Sequence, residues 1–204
     1  MTVEDYGWKS GAASGSSAYL YGPILTLIGE TRPRSILDLG CGNGHLAKML
    51  SSKGYRVAAA DVDRKGIELA RQDSASVDFR CVDMSDKPPD EWTKSPFDCI
   101  ISTEVVEHMF FPRHLFQFAT ACLVAGGRLH VSTPYHGWLK NVIISATGGW
   151  DKHHQPDHEG GHIKFWSRAT LGRLAASSGF REVKFTGCGR YSFLWKSMLI
   201  TYQS

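Results

Sequence analysis

The chain has 204 residues, a formal net charge of +3, and ordinary apolar and charged fractions of 42% and 21%. That is the size of one domain with a core of its own, and its scattered Lys and Arg residues do not form the clustered basic face that nucleic-acid binding needs. No apolar run approaches a membrane span, the N-terminus lacks the plan of a signal peptide, and five widely spaced cysteines with no C-x-x-C argue for reduced thiols in the cytoplasm rather than a disulfide or zinc-cysteine framework.

Residues 1–17 are polar and glycine-rich and carry Tyr6 and Trp8. They read as a frayed terminus, or as a lid segment whose aromatics close over a ligand. Residues 18–28 (AYLYGPILTLI) have the apolar face of a helix, with Pro23 placed in its first turn. Residues 31–34 turn the chain into Ser35–Leu39, an apolar run long enough for one strand and too short for a free-standing helix. Gly40, Gly42 and Gly44 then punctuate a tight loop, and from His45 the pattern turns helical, with Leu46, Ala47 and Leu50 on one face. A strand, a glycine loop and a helix start make a ligand cradle. Glycine lets a ligand lie against backbone, and the helix N-terminus offers unpaired N–H groups to an anionic group.

The dinucleotide fingerprint G-x-G-x-x-G does not fit this loop, because its third glycine would fall on His45. The glycines sit at alternate positions behind Asp38 instead. Further along, residues 55–60 read as a second strand that Asp61 ends, residues 64–73 as a helix, and residues 77–81 as a third strand followed by Asp83 and Met84. An acid at the carboxyl edge of a parallel sheet, beside the glycine loop, can accept two hydrogen bonds from ribose hydroxyls. Residues 87–94 form a loop or a short helix, and Phe97–Thr103 (FDCIIST) a fourth strand. Residues 104–109 (EVVEHM) lead into a helix that runs to Leu123, and Gly126-Gly127 turns the chain into a fifth strand, 128–133. Strands alternating with helices indicate a parallel sheet covered on both faces.

Over residues 35–133 the glycine loop, Asp61, Asp83, FDCIIST-EVVEH and the L-x-x-G-G turn resemble, in order and spacing, the class I S-adenosylmethionine-dependent methyltransferases. Within that class the chain is similar to the O-methyltransferases of ubiquinone biosynthesis. The resemblance implies a Rossmann-like α/β fold, a seven-stranded, mostly parallel sheet with an antiparallel last strand. It implies S-adenosyl-L-methionine as cofactor, held by Asp38, Gly40, Cys41, Gly42, Asp61, Val62, Asp83, Met84 and Thr103. Asp83 would take the adenine amine, and Met84 would offer backbone contact. Glu104, Glu107 and His108 resemble a divalent-metal site proposed in that group; the plain alternative is a polar first turn of a helix beside the cofactor.

Residues 134–166 depart from the plain core. This connection is longer than is ordinary, and it carries His136, His153, His154, His158 and His162 among Tyr135, Trp138, Trp150, Phe165 and Trp166. Long loops at this edge of a sheet are often active-site lids. His154, His158 and His162 recur every four residues, but Pro156 and Gly160-Gly161 argue against one helix carrying them, so no metal is assigned there. Ser167 is a candidate N-cap for a helix over 168–178 that Gly179 ends. Residues 180–186 and 193–202 read as two final strands, which the resemblance makes an antiparallel hairpin with the last strand beside the fifth.

The expectation is one methyltransferase domain over 1–204, with a cap segment at 1–34 and a lid at 134–166. It would move a methyl group to a small-molecule acceptor, most plausibly at oxygen, with no nucleic acid and no membrane insertion. A hydroxyl acceptor needs a base, and His titrates in the useful range; His136 and His162 are the candidates. His162 opens HIKFW, which resembles the H-x-x-x-K-F stretch of the quinone enzymes with a shorter gap. Two other readings stay open. One is an NAD-dependent oxidoreductase, against which the glycine register speaks. The other is a sensor or inert partner subunit that keeps the cofactor site without the chemistry.

Overall fold

A computed structural model of the chain describes residues 7–204 except 73, 75, 155, 158, 159 and 193. Tyr6, His158, the expected helix end at Asp73 and the expected strand start at Phe193 lie outside the described residues.

The strands β1 (Ser35–Leu39), β2 (Arg56–Asp61), β3 (Asp78–Cys81), β4 (Phe97–Thr103), β5 (Leu123–Pro134), β6 (Arg181–Cys188) and β7 (Ser197–Gln203) form one sheet in the order β3-β2-β1-β4-β5-β7-β6. The first five run parallel, and β7 is antiparallel to both its neighbours. The expected sheet, with its last strand inserted beside the fifth, is therefore the observed one. β1 is buried along its whole length, which is why it reads as an uninterrupted apolar run rather than an alternation.

Side chains alternate between two cores, one on each face. Ile36, Val57, Ala59, Cys99 and Ile101 point to one face, where α1 (Ser17–Thr31), α2 (His45–Ser52) and α3 (Arg64–Gln72) supply Leu20, Ile24, Leu46, Leu50 and Ile67. Leu37, Leu39, Ala58, Ala60 and Ile100 point to the other. There α4 (Asp90–Lys94), α5 (Arg113–Cys122) and α8 (Arg168–Ala176) supply Trp92, Leu115, Phe116, Phe118 and Leu171. The remaining helices, α6 (Trp138–Ala146) and α7 (Trp150–His154), bury no residue.

Several local expectations shift. Pro23 lies inside α1 and not in its first turn; it removes one helical hydrogen bond there. Residues 104–112 are a loop and not the first turn of a helix, and α5 starts only at Arg113. β5 reaches back through Gly126-Gly127 to Leu123, with a register irregularity opposite Phe97 and Cys99 where a simple turn was expected. The Ser167 cap is present as a reciprocal capping box with Thr170.

The chain leaves β1 toward β2 on one side of the sheet, and continues from β4 to β5 on the other. The order reverses between β1 and β4, and a crevice opens at their carboxyl ends. Ile100, at the centre of β4 and fully buried, tests the core that sets this crevice. Ile100→Ala should lower stability by about 2–5 kcal/mol, read as a reduced urea midpoint with an unchanged slope.

Candidate active site

A cavity of about 660 Å³ occupies the crevice. All nine residues expected to hold a cofactor line it: Asp38, Gly40, Cys41, Gly42, Asp61, Val62, Asp83, Met84 and Thr103. They come from the carboxyl ends of β1, β2, β3 and β4, so parallel pairing alone gathers them.

The glycine loop is built as its sequence requires. Gly40, Gly42 and Gly44 have φ of +78°, +53° and +73°, the left-handed region that side chains disfavour. At Gly42 there is a second reason: a Cβ would lie 2.5 Å from the Trp8 ring. The Gly40 and Cys41 N–H groups donate to the Ala60 carbonyl at 2.8 and 3.0 Å. The Gly42 N–H donates to Asp61 Oδ2 at 2.7 Å, and the Asp63 N–H to Asp61 Oδ1 at 2.8 Å. Asp61 thus braces the loop as well as facing the cavity. A carboxylate has about four acceptor positions, so it keeps capacity for ribose hydroxyls.

Asp38 is buried, and neither of its carboxylate oxygens has a hydrogen-bond partner among the described residues. Burial, with the Asp61 charge added, pushes its pKa up to about 7. Burial also raises Asp61, against the pull of its backbone hydrogen bonds, and raises the Cys41 thiol well above its usual range. Cys41 is therefore a wall residue and not a nucleophile.

Trp8, Tyr21 and Asn43 join this site without having been assigned to it from sequence. Asn43 Nδ2 donates to the Ser10 and Ala12 carbonyls at 2.8 and 2.7 Å, which fastens the N-terminal segment over the loop. Tyr21 stacks on His45 with ring centroids 5.6 Å apart. The aromatic content of residues 1–17 was the available signal, and it fits the lid reading rather than the frayed terminus.

Neither His136 nor His162 lines this cavity; both line a second one, of about 550 Å³. Glu104 lines both cavities. Its φ is +54°, unusual for a residue with a side chain. Its N–H donates to the Ser132 carbonyl at 3.1 Å, while Ser132 Oγ and Ser197 Oγ donate to its carboxylate at 2.8 and 2.9 Å. Burial raises its pKa to about 7, opposed by the two serine hydrogen bonds.

The acid-histidine set expected from EVVEH is regrouped. Glu104 turns to the serines, and His162 arrives from the lid, so that Glu107, His108 and His162 bring their ligand atoms within 4.8 Å of one another. His108 Nε2 lies 3.9 Å and His162 Nε2 4.0 Å from Glu107 Oε1. The Glu107 carboxylate is buried and meets no hydrogen-bond geometry. Burial first, and then the Glu104 charge, push its pKa well above the carboxylate range, with the neighbouring Thr133 hydroxyl pulling back. His108 Nδ1 faces the Gly160 and Gly161 carbonyls at 2.9 and 3.2 Å. Those are acceptors, so Nδ1 carries a proton and donates to them. Backbone bonds pin the lid end here: the Ile163 and Lys164 N–H groups both donate to the Glu107 carbonyl at 3.0 Å.

A family model described as a methyltransferase domain matches residues 17–184. The chain is 22% identical to the ubiquinone biosynthesis O-methyltransferase of Idiomarina loihiensis, over 76% of this chain and 64% of that protein, less than two thirds of its length. It is 24% identical to the enzyme of that name from Coxiella burnetii, over 88% of this chain and 79% of the other. Among solved structures it is similar to magnesium protoporphyrin IX methyltransferase from Synechocystis, solved with bound S-adenosylhomocysteine (TM-score 0.69, 15% identity, 90% of this chain and 81% of that one). It is also similar to the N-methyltransferase NodS from Bradyrhizobium japonicum (TM-score 0.65, 17% identity, 90% and 85%). At these identities the structures show a shared fold.

Two variants check the loop. Asp61→Ala should weaken S-adenosylmethionine binding by about 1.5–3 kcal/mol, the range for hydrogen bonds to a charged group. Gly42→Val should abolish binding in a folded protein, because a branched side chain both disfavours the left-handed backbone and displaces Trp8. Calorimetric titration, with circular dichroism to verify the fold, reads both; wild-type affinity in either variant would remove that residue from the site.

Proposed function

We infer that this chain, which belongs to the class I S-adenosylmethionine-dependent methyltransferases, transfers the cofactor's sulfonium methyl to an oxygen of a small molecule held in the second cavity. The observation that carries this reading is that the two cavities share a wall, Glu104 and Ser16 lining both: an acceptor in the second cavity would open onto the methyl end of a cofactor in the first. The names of the ubiquinone O-methyltransferase relatives support oxygen as the acceptor atom.

The chemistry asks little of the protein beyond placement. The acceptor oxygen attacks the methyl carbon in line, the carbon–sulfur bond breaks, and its electron pair stays on sulfur as S-adenosylhomocysteine forms. Holding the two groups together and excluding water supply most of the acceleration. We assign the acceptor proton to His162, which lines the second cavity with its Nε2 4.0 Å from Glu107 Oε1. His136 is the weaker candidate for this role. Burial drives its pKa down to about 4, so it holds a proton poorly at neutral pH.

As an alternative to His162 acting as the base, the Glu107, His108 and His162 group suits a divalent cation, with His162 then a ligand. The unpartnered buried carboxylate is costly without a counter-charge, and the Nδ1-to-carbonyl contact of His108 is the outer contact that metal-bound histidines make. A cation held there would lower the pKa of an acceptor hydroxyl. The segment 134–166 is proposed as the lid over the acceptor, since α6 and α7 bury nothing against the core.

Turnover to S-adenosylhomocysteine with a pool of hydroxylated aromatic acceptors tests the reading, and separates it from an inert cofactor-binding subunit. His162→Ala should lower turnover about 10²–10⁴-fold with little change in cofactor affinity. Wild-type turnover in that variant would leave proximity alone as the mechanism.

Asp38 adds a pH dependence. The cofactor carries positive charge, which favours the carboxylate, so binding expels the proton that Asp38 holds below about pH 7. Affinity should therefore rise with pH up to about 7 and level off above it. Calorimetry in buffers of different ionisation enthalpy should show proton release on binding below that pH. Asp38→Asn should remove the release.

A further inference from the structure

Apart from the Glu107 group, a second set of side chains converges on the second cavity. His136, His153 and His154 bring one ring nitrogen each to within 4.8 Å of one another. His136 follows β5 and is buried. His153 and His154 end α7. Consecutive helical residues diverge by about 100°, yet both rings meet His136: the His136 and His154 rings stack at 5.5 Å, and those of His136 and His153 lie edge to face at 5.8 Å. His154 Nε2 is buried and has no hydrogen-bond partner among the described residues. Phe165 packs on both His136 and His154, at 5.1 and 4.6 Å, and Trp150 on His154 at 4.1 Å. The trio is thus walled by aromatic rings. Burial, followed by the Lys140 charge or, for His136 and His153, the neighbouring imidazoles as well, lowers the pKa of all three, and for His136 the Asn141 side chain pulls back.

We propose that His136, His153 and His154 form a metal site for a late first-row dication, zinc foremost, with three imidazole ligands and a fourth position open to the second cavity. Three nitrogen donors without a carboxylate favour zinc over magnesium or calcium. Zinc–nitrogen bonds of about 2.0–2.1 Å require ligand atoms about 3.3–3.4 Å apart in a tetrahedron. From the separation present, a small inward movement of two rings on a five-residue helix reaches that. The bound metal would tie α7 to the end of β5 and so hold the lid segment to the sheet. This site is independent of the reaction proposed above, since it uses neither Glu107 nor His162.

Lys140, on α6, opposes a cation here. Its Nζ donates to the Trp195 carbonyl at 3.2 Å, and it lines the cavity with Lys196. This gives a test that separates a metal site from an anion-binding pocket built of the same side chains. The full chain is stripped with a chelator, saturated with magnesium to fill the Glu107 group, and titrated with zinc by calorimetry and with cobalt by visible absorption. We expect zinc to bind with magnesium present, and cobalt to give the visible band of four-coordinate nitrogen ligation. His153→Ala and His154→Ala should each weaken zinc by more than the roughly 10–100-fold that loss of an outer partner brings. Glu107→Gln should leave zinc binding unchanged, and Lys140→Met should strengthen it. Zinc should also slow amide exchange in residues 150–154, a readout that does not depend on any variant. Failure of zinc to bind, or zinc binding insensitive to both His153→Ala and His154→Ala, would overturn the site. Binding of inorganic phosphate that Lys140→Met abolishes, with no binding of zinc, would overturn it in favour of an anion pocket.

Discussion

The hydrogen bond from the Gly42 N–H to Asp61 Oδ2, at 2.7 Å, is the contact on which the cofactor side of this protein depends. It joins the loop after β1 to the carboxyl end of β2, on one side of the crevice between β1 and β4. A carboxylate receiving backbone N–H groups makes a stronger hydrogen bond than a neutral pair does, and Asp61 receives two. One side chain therefore sets the loop's shape, limits its movement and presents polar oxygen to the cavity. Burial opposes the charge that does this, by raising the Asp61 pKa, and the backbone donors offset that penalty. The loop and its acid are a unit: neither has its observed form without the other.

Glu104 plays the corresponding part on the acceptor side. It sits in a backbone conformation that costs free energy for a residue with a Cβ, and Ser132 and Ser197 hold it there from β5 and β7. The antiparallel insertion of β7 beside β5 is what brings Ser197 within reach. A feature of topology thus becomes a feature of the site. Burial raises the pKa of both Glu104 and Glu107, and the Glu104 charge adds to the rise at Glu107. The lid end is fastened to the same loop by two backbone hydrogen bonds and by the Trp166 indole, which donates to the Val106 carbonyl at 3.3 Å.

The second cavity differs in kind. Four histidines and two lysines line it together with Tyr19 of α1 and Trp195, and two of the helices that contribute to it, α6 and α7, have no buried residue. The N-terminal segment covers the first cavity through Trp8 and the Asn43 hydrogen bonds. Family membership fixes the cofactor.

Much of the fold was legible because its signals are local. β1 and β4 are apolar runs with the observed boundaries, the alternate glycines announce positive φ, and Asp61 and Asp83 follow strands whose parallel pairing places their ends together. The nine residues that the family resemblance pointed to all line the first cavity. What the sequence alone could not supply were contacts between distant segments. The set Glu104, Glu107 and His108 looked complete because its members are neighbours in the chain. In the folded protein His162 takes the place of Glu104, whose carboxylate is claimed by serines 28 and 93 residues away. The histidine trio was likewise hidden, because the four-residue spacing of His154, His158 and His162 drew attention to the wrong grouping. Residues 104–112 read as helical and form a loop, since the positive φ of Glu104 and backbone bonding to Ser132 outweigh helical preference. Strands, cradle and family were determined by the sequence itself, because periodicity and glycine geometry act within a few residues. The makeup of the acid-histidine site, the sharing of Glu104 between two cavities and the meeting of His136 with α7 were decided only by tertiary structure, which brings Ser197 and Glu104, 93 residues apart, into hydrogen-bond distance.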